Sequence, residues 1–415
     1  MERLAAVSRH VLGGSDPTPT PSPAGAAGLT LKPRQLSPHD IIFGCAPLRA
    51  DLPPPRVPLP LAETDAAVHA ALEAGIVCFD TAPLYGDSED RLGHGLRASR
   101  LGSSAQVITK AGKLLRHKDR LDTPVDWSPF AIPAEERERL PDYSRAGARR
   151  SLDESCARIG VERFEGLRLH DPDSVEGAAA AALGPDGIIA GLRELRDAGV
   201  INCVSLGMNA NLGHKVVEPG KGEGPGTETK QWDPSMVLEM IEGAPAGTFD
   251  HVLLAYAFNL YSQDGASIMA ACEAKGIGVH LAGVFGGGGM LKPAAGVNAV
   301  TFHSLMPSRA TYRCRAAPKT HQESCEQGSV RNNEPEAFAE KHEQWAALAE
   351  AHGVSLTAVA LAFASLPSAV TKLVVGMISA EEVGANVAAL GESVPTGLWR
   401  EAQGKGLLPP DLALP

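Results

Sequence analysis

From residue 41 onward the chain alternates between two hydrophobic periods. Short apolar or β-branched runs read as strands over Ile41–Ala46, Ile76–Asp80, Gln106–Lys110, Phe164–His170, Ile201–Gly207, His251–Ala255, Ile277–Ala282 and Lys372–Gly376. Between them apolar residues recur every three or four positions, the spacing of one helix face, over Thr64–Ala74, Glu89–Ala98, Ser144–Ile159, Gly187–Ala198, Ser235–Glu242, Gly265–Lys275 and Ser355–Ser365. Gly75, Gly160, Gly199 and Gly276 stand just past the ends of such segments, where a left-handed cap turns a helix into the next strand.

Strand and helix in alternation require right-handed parallel crossovers, and eight units are the number that closes an α/β barrel of the (β/α)8, TIM type. One barrel domain over residues 39–415 then accounts for the pattern, preceded by a flexible tail over 1–38. The surplus length sits in three insertions, Leu114–Pro141, Asn211–Pro234 and Leu291–Pro335, which follow strands three, five and seven. Each therefore falls on the face made by strand C-termini, where such barrels keep their active sites. The rival, an open doubly wound sheet, lacks a GxGxxG after its first strand.

Composition narrows the function. The chain of 415 residues is 44% hydrophobic and 21% charged, an ordinary globular profile. Its net charge of −11 would repel a phosphate backbone, and no basic stripe interleaved with aromatics counters it, so nucleic acid is not expected as a partner. No run of about 18 apolar residues suggests a membrane span. The seven scattered cysteines read as buried thiols in a reducing compartment, taken as the cytoplasm. With neither CxxC nor HExxH, no metal site is expected. The N-terminal segment, with Arg3, Arg9, Arg34 and a Pro/Thr/Ser tract over 17–23, fits either an organellar transit peptide or a loose tail.

Polar residues cap three of the apolar runs: Asp80 ends strand two, Lys110 strand three and His170 strand four, with Tyr85 in the loop after Asp80. At strand C-termini they would converge on the barrel mouth. A lysine at the rim of an apolar core needs a partner, and Asp80 one strand away supplies it. An ammonium within about 4 Å of a phenol whose ordinary pKa is about 10 would lower that pKa by about one to three units, making Tyr85 a usable proton carrier. Neutral His170 could then fix a substrate oxygen against the phenol.

These residues resemble the aldo-keto reductase superfamily: Phe79-Asp80-Thr81-Ala82-Pro83-Leu84-Tyr85-Gly86 with Ser88-Glu89 and Leu92-Gly93, then Ile108-Thr109-Lys110, then His170-Asp171, and finally Gly376-Met377 with Ala380-Glu381-Glu382-Val383 and Asn386. The resemblance implies that Tyr85 is the acid/base, that Lys110 and Asp80 tune it, and that His170 orients the substrate. Asp142-Tyr143-Ser144, Gly207-Met208-Asn209 and Gly283-Val284-Phe285 are similar to the sugar-dehydrogenase branch, whose members oxidise L-galactose, L-fucose or D-threo-aldoses at C1 to lactones with NAD, with pyridoxal 4-dehydrogenase as a relative. A small-molecule sugar, or pyridoxal, is the implied substrate; NADPH-dependent carbonyl reduction is the remaining enzymatic alternative.

The same resemblance places Asn209 at the nicotinamide carboxamide and Gly376, Met377, Ser379, Glu382 and Asn386 along the adenosine side. Physically, Ser379 and Glu382 also read as a helix capping box. Two carboxylates at this turn would repel the 2′-phosphate of NADP, and no Arg or Lys lies between Gly376 and Asn386, which points to NAD. The nicotinamide-stacking aromatic of many members falls at Gly283, leaving Phe285 as its substitute or the ring supported in another way. Gly286 opens a glycine run that could admit backbone amides to a pyrophosphate or merely loosen the loop.

Overall fold

The computed structural model describes residues 29–50, 59–119, 128–208, 234–286, 291 and 335–415. Asn209, most of the insertions after strands five and seven, and residues 1–28 lie outside these. Ten strands are present among the described residues: β1 (Ile41–Gly44), β2 (Cys78–Asp80), β3 (Gln106–Ala111), β4 (Lys113–His117), β5 (Arg137–Pro141), β6 (Phe164–His170), β7 (Ile201–Met208), β8 (His251–Ala255), β9 (Gly278–Ala282) and β10 (Val370–Gly376). Eight close into a parallel barrel in the order β1-β10-β9-β8-β7-β6-β3-β2. They are the eight strands expected from the sequence, and each parallel neighbour is reached through helical segments that cover the outside.

The barrel core is built from both faces of its strands, which is why they read as continuous apolar runs. Phe43, Phe79, Phe164, Val204, Leu254 and Leu281 are all fully buried. Gly75, Gly160, Gly199 and Gly276 all adopt positive φ, and the caps at Gly160 and Gly276 close the helices Arg145–Ile159 and Ala266–Lys275.

Three features depart from the expectation. Residues 29–37, assigned above to the tail, are packed on the barrel: Leu29, Leu31 and Leu36 are buried, and Lys32 and Ser368 exchange backbone hydrogen bonds with Leu366 and Thr30. Part of the insertion after β3 is an antiparallel hairpin, β4 paired with β5. Helices Pro335–Ala351 and Thr396–Gly404 add to the outer layer, where Trp399 packs against Phe363 with ring centroids 5.6 Å apart. Among the described residues no single helix is long and apolar enough to cross a membrane.

Candidate active site

Asp80 is the last residue of β2, Lys110 the penultimate residue of β3 and His170 the last of β6, so all three project at the C-terminal mouth. Lys110 Nζ donates to Asp80 Oδ1 at 2.6 Å and to the Thr81 carbonyl at 2.8 Å. An ammonium has three donors, which leaves one for Tyr85, whose ring centroid is 4.6 Å from Nζ. The Tyr85 and His170 rings meet edge to face with centroids 6.1 Å apart. The four expected residues are thus brought together.

Burial alone would raise the Asp80 carboxyl, but Lys110 and Arg168 hold it below its usual range. Burial also opposes charge on Lys110, yet Asp80 and the phenol keep its pKa above the ordinary value. His170 is pushed well below the ordinary imidazole by burial and by Lys113 and Lys110, so it is neutral at physiological pH. Tyr85 corrects the expectation. Burial raises its pKa by more than Lys110 lowers it, and Asp80 adds to the rise, so the net direction is up. The physical reason is first that burial strips water from the phenolate, and second that a carboxylate at hydrogen-bond distance from the ammonium offsets part of its charge.

One residue the sequence reading missed completes the cluster. Arg168, fully buried in the barrel interior, aligns with Lys110 on one side and Ser205 on the other. Its Nε donates to Asp80 Oδ2 at 2.6 Å, one Nη to Ser205 Oγ at 2.5 Å, and the other lies 2.7 Å from His280 Nδ1. The signal was present: strand side chains alternate, so a residue two before His170 faces the same interior, and an arginine within Leu167-Arg168-Leu169 has no solvent to reach.

The β4–β5 hairpin fixes the Tyr85 loop. Leu84 packs on Leu115 and Ile132, and Arg137 donates to the Gly86 carbonyl and to Asp90 Oδ2, both at 2.8 Å. Lys113, buried at the start of β4, faces Asp171 across 3.9 Å, beside His170. Asp171 holds a left-handed backbone at φ 41°, and Tyr143 donates its hydroxyl to the carbonyls of His170 and Asp171 at 2.8 and 3.1 Å. Burial and the neighbouring Asp171 push the Asp173 carboxyl up to about 7. Ser88 and Glu89 are structural: Glu89 joins Thr109 at 2.6 Å to Arg158 at 2.5 Å, locking the helix Ser88–Ala98 to the barrel.

On the side assigned to a dinucleotide, Ser379 caps the helix Ala380–Leu390, accepting from the Glu382 amide at 3.2 Å, while Glu382 Oε2 accepts from the Ile378 amide at 2.9 Å. The first-turn amides of Ala380 and Glu381 have no partner among the described residues, and Gly376, the last residue of β10, is exposed. Free helix N-terminal amides fit a phosphate-bearing ligand. Met377, expected on this side, is fully buried, backbone included, and so is not placed to meet such a ligand. Asn386 is half-buried. Phe285 packs into the hydrophobic core, whereas the ring of Tyr256 stands over Gly283: a Cβ there would fall 2.6 Å from Tyr256 Cδ1. Tyr256 follows β8 with a left-handed φ of 60°, and Gly286 has a φ of 55°. An aromatic is therefore present at Gly283, but it comes from another strand than Phe285. Among the described residues no group of three or more His, Cys, Asp or Glu is placed to hold a metal.

Comparison with known proteins agrees with this architecture. Residues 41–397 match the profile of the Aldo/keto reductase family. A D-threo-aldose 1-dehydrogenase from Pseudomonas sp is 27% identical over 84% of this chain and 89% of its own. A pyridoxal 4-dehydrogenase from Microbacterium luteolum is 25% identical over 85% of this chain and 90% of its own. An L-galactose dehydrogenase from Arabidopsis thaliana is 33% identical, but over only 31% of this chain and 33% of its own. Among solved structures, the glycerol dehydrogenase of Gluconobacter oxydans superposes with a TM-score of 0.56 at 18% identity, covering 94% of this chain and 98% of that one.

Proposed function

The chain belongs to the aldo/keto reductase family of oxidoreductases, and from that premise we propose that it oxidises the C1 hemiacetal hydroxyl of an aldose to a lactone, using NAD. The observation that carries the reading is the convergence of Tyr85, Lys110, Asp80 and His170 at one barrel mouth. The aldose is chosen because a D-threo-aldose 1-dehydrogenase matches nearly the whole chain.

When bound, the oxidised nicotinamide supplies the acceptor for the hydride that leaves C1. The chain's residues manage the proton. Tyr85 takes it from the C1 hydroxyl in its ionised form, a minor species near neutrality because burial raises the phenol's pKa, and Lys110 balances the charge that this form carries before the transfer. His170, held neutral by its surroundings, can donate to the same substrate oxygen without competing for the proton. The capped helix Ala380–Leu390 offers its free amides to phosphate, and the exposed Glu381 with Glu382 at its start disfavours a second phosphate on the ribose. NAD is accordingly preferred over NADP.

Pyridoxal, also a cyclic hemiacetal, is the second reading, supported by the pyridoxal 4-dehydrogenase of comparable coverage. The test is spectrophotometric reduction of NAD and of NADP with L-galactose, L-fucose, D-arabinose and pyridoxal. Tyr85→Phe should lower the active pair by orders of magnitude while dinucleotide affinity, read by fluorescence quenching, stays within about twofold. A wild-type protein that reduces NAD with none of these compounds overturns the proposal.

A further inference from the structure

Barrel interiors of this type are usually filled by layers of Val, Ile and Leu, yet here the layer beneath the mouth is ionic. One carboxylate, Asp80, lies between two cations, with Oδ1 on Lys110 and Oδ2 on Arg168. The exposures of the three residues are 3%, 2% and 0% in the order Asp80, Lys110, Arg168. Such a trio retains one unbalanced positive charge in a medium that solvates it poorly. His280, which accepts from Arg168 through Nδ1, adds none, because burial and Arg168 keep it neutral.

We infer that Arg168 is a positioning residue for the acid/base: by holding half of Asp80 it keeps Lys110 incompletely neutralised, so the trio becomes electrically balanced only when Tyr85 ionises. The inference rests on the reading of Tyr85 as the base. Arg168 is suited to the part because a guanidinium keeps its proton across the working pH range, and its three nitrogens are fixed by Asp80, Ser205 and His280, which bars it from swinging toward the mouth. The other groups facing the phenol largely offset one another. Lys113 from β4 faces Asp171 after β6, His170 is neutral, and Arg139 from β5 and Asp173 lie farther out, acting on Lys113, His170 and Tyr143.

Without Arg168, both oxygens of Asp80 would serve Lys110. The ammonium would form a neutral pair with the carboxylate, and a phenolate beside that pair would be an unbalanced buried anion. The phenol should therefore titrate higher.

The experiment titrates Tyr85 with no cofactor or substrate present, by the ultraviolet difference spectrum between a protein and its Tyr85→Phe counterpart, so that the other tyrosines cancel. Arg168→Met should raise the Tyr85 midpoint by about one pH unit or more, whereas Arg168→Lys, which keeps the charge, should raise it by less than half of that. Ser205→Ala, which frees one arm of the guanidinium, should give a small rise in the same direction and keeps the test open if Arg168→Met fails to fold. In turnover the rising limb of the kcat profile, along which the base loses its proton, should move up with the midpoint, lowering kcat near neutrality about tenfold and restoring it at alkaline pH. A folded Arg168→Met with an unshifted midpoint overturns the inference; where that variant does not fold, an unshifted Ser205→Ala does so. If Tyr85→Phe keeps wild-type turnover, the assignment of the base itself has failed, and that outcome is separate from an inactive Tyr85→Phe with an unmoved Arg168 series.

Discussion

Replacing Asp80 by Asn changes one oxygen to an amide and leaves the shape of the core intact, so its effect isolates charge. Lys110 and Arg168 would then face each other across a neutral group, buried at 2% and 0% exposure. Removing one partner from a buried pair costs about 3–5 kcal/mol, because the remaining charge has no water to return to. At roughly 2 °C per kcal/mol for a domain of this size, Asp80→Asn should melt about 6–10 °C below wild type at pH 7. The pH dependence has a definite sign. The folded-state pKa of Asp80 is depressed, so its contribution is present above the unfolded value of about 4 and is lost as pH falls through the folded value. That of Lys110 is raised, so its contribution is full below the unfolded value of about 10.4 and is lost as pH rises through the folded one. The gap between wild type and variant should therefore be widest near neutrality and close toward both extremes. Calorimetry and urea unfolding followed by circular dichroism across pH 3–11 would measure it. Equal stability at pH 7, or a gap that is flat from pH 7 to pH 3, would refute the claim that this carboxylate is the charge balance of the core.

Three further variants probe the surroundings. Arg137→Ala removes the clasp on Gly86 and Asp90, so hydrogen exchange over residues 84–90 should rise and kcat should fall about tenfold through misplacement of Tyr85, with dinucleotide affinity unchanged. Asp173, whose carboxyl is pushed up to about 7, favours the protonated folded state, so wild type loses stability as pH rises from the unfolded value through 7; Asp173→Asn should match it near pH 4 and melt higher at pH 8. Gly283→Ala meets both a left-handed φ of 71° and the Tyr256 ring, and should lower stability by about 1–2 kcal/mol for the backbone alone, with the clash added. The double variant with Tyr256→Ala should recover the clash and keep the backbone cost, as measured by thermal melting.

What could be read from the residues, and what could not, follows from how local each cause is. The barrel strands are buried on both faces, and this leaves continuous apolar runs that no partner is needed to recognise. The β4–β5 hairpin hides for the opposite reason. Its pairing of Lys113 with Pro141 and His117 with Arg137 spans a long loop, and β5 reads Arg-Glu-Arg-Leu, with mostly exposed side chains that carry no apolar period. Lys110, Asp80 and His170 were legible because a strand end fixes where a side chain points, and Tyr85 because it follows Asp80 closely in the loop after β2. The raised pKa of the phenol was not, because its sign depends on burial and a nearby carboxylate outweighing the field of one ammonium. Tyr256 could not be placed from sequence either: its ring reaches Gly283 only through a left-handed turn that the residue type disfavours. Arg168 stands between these cases, since its inward direction was written in the alternation of Leu167-Arg168-Leu169-His170 and only its partners were not. A polar residue in phase with a catalytic strand end can thus be read as facing the same interior, and the question it raises is which buried charge it balances. Here that charge is Asp80, and the balance reaches Tyr85 through Lys110.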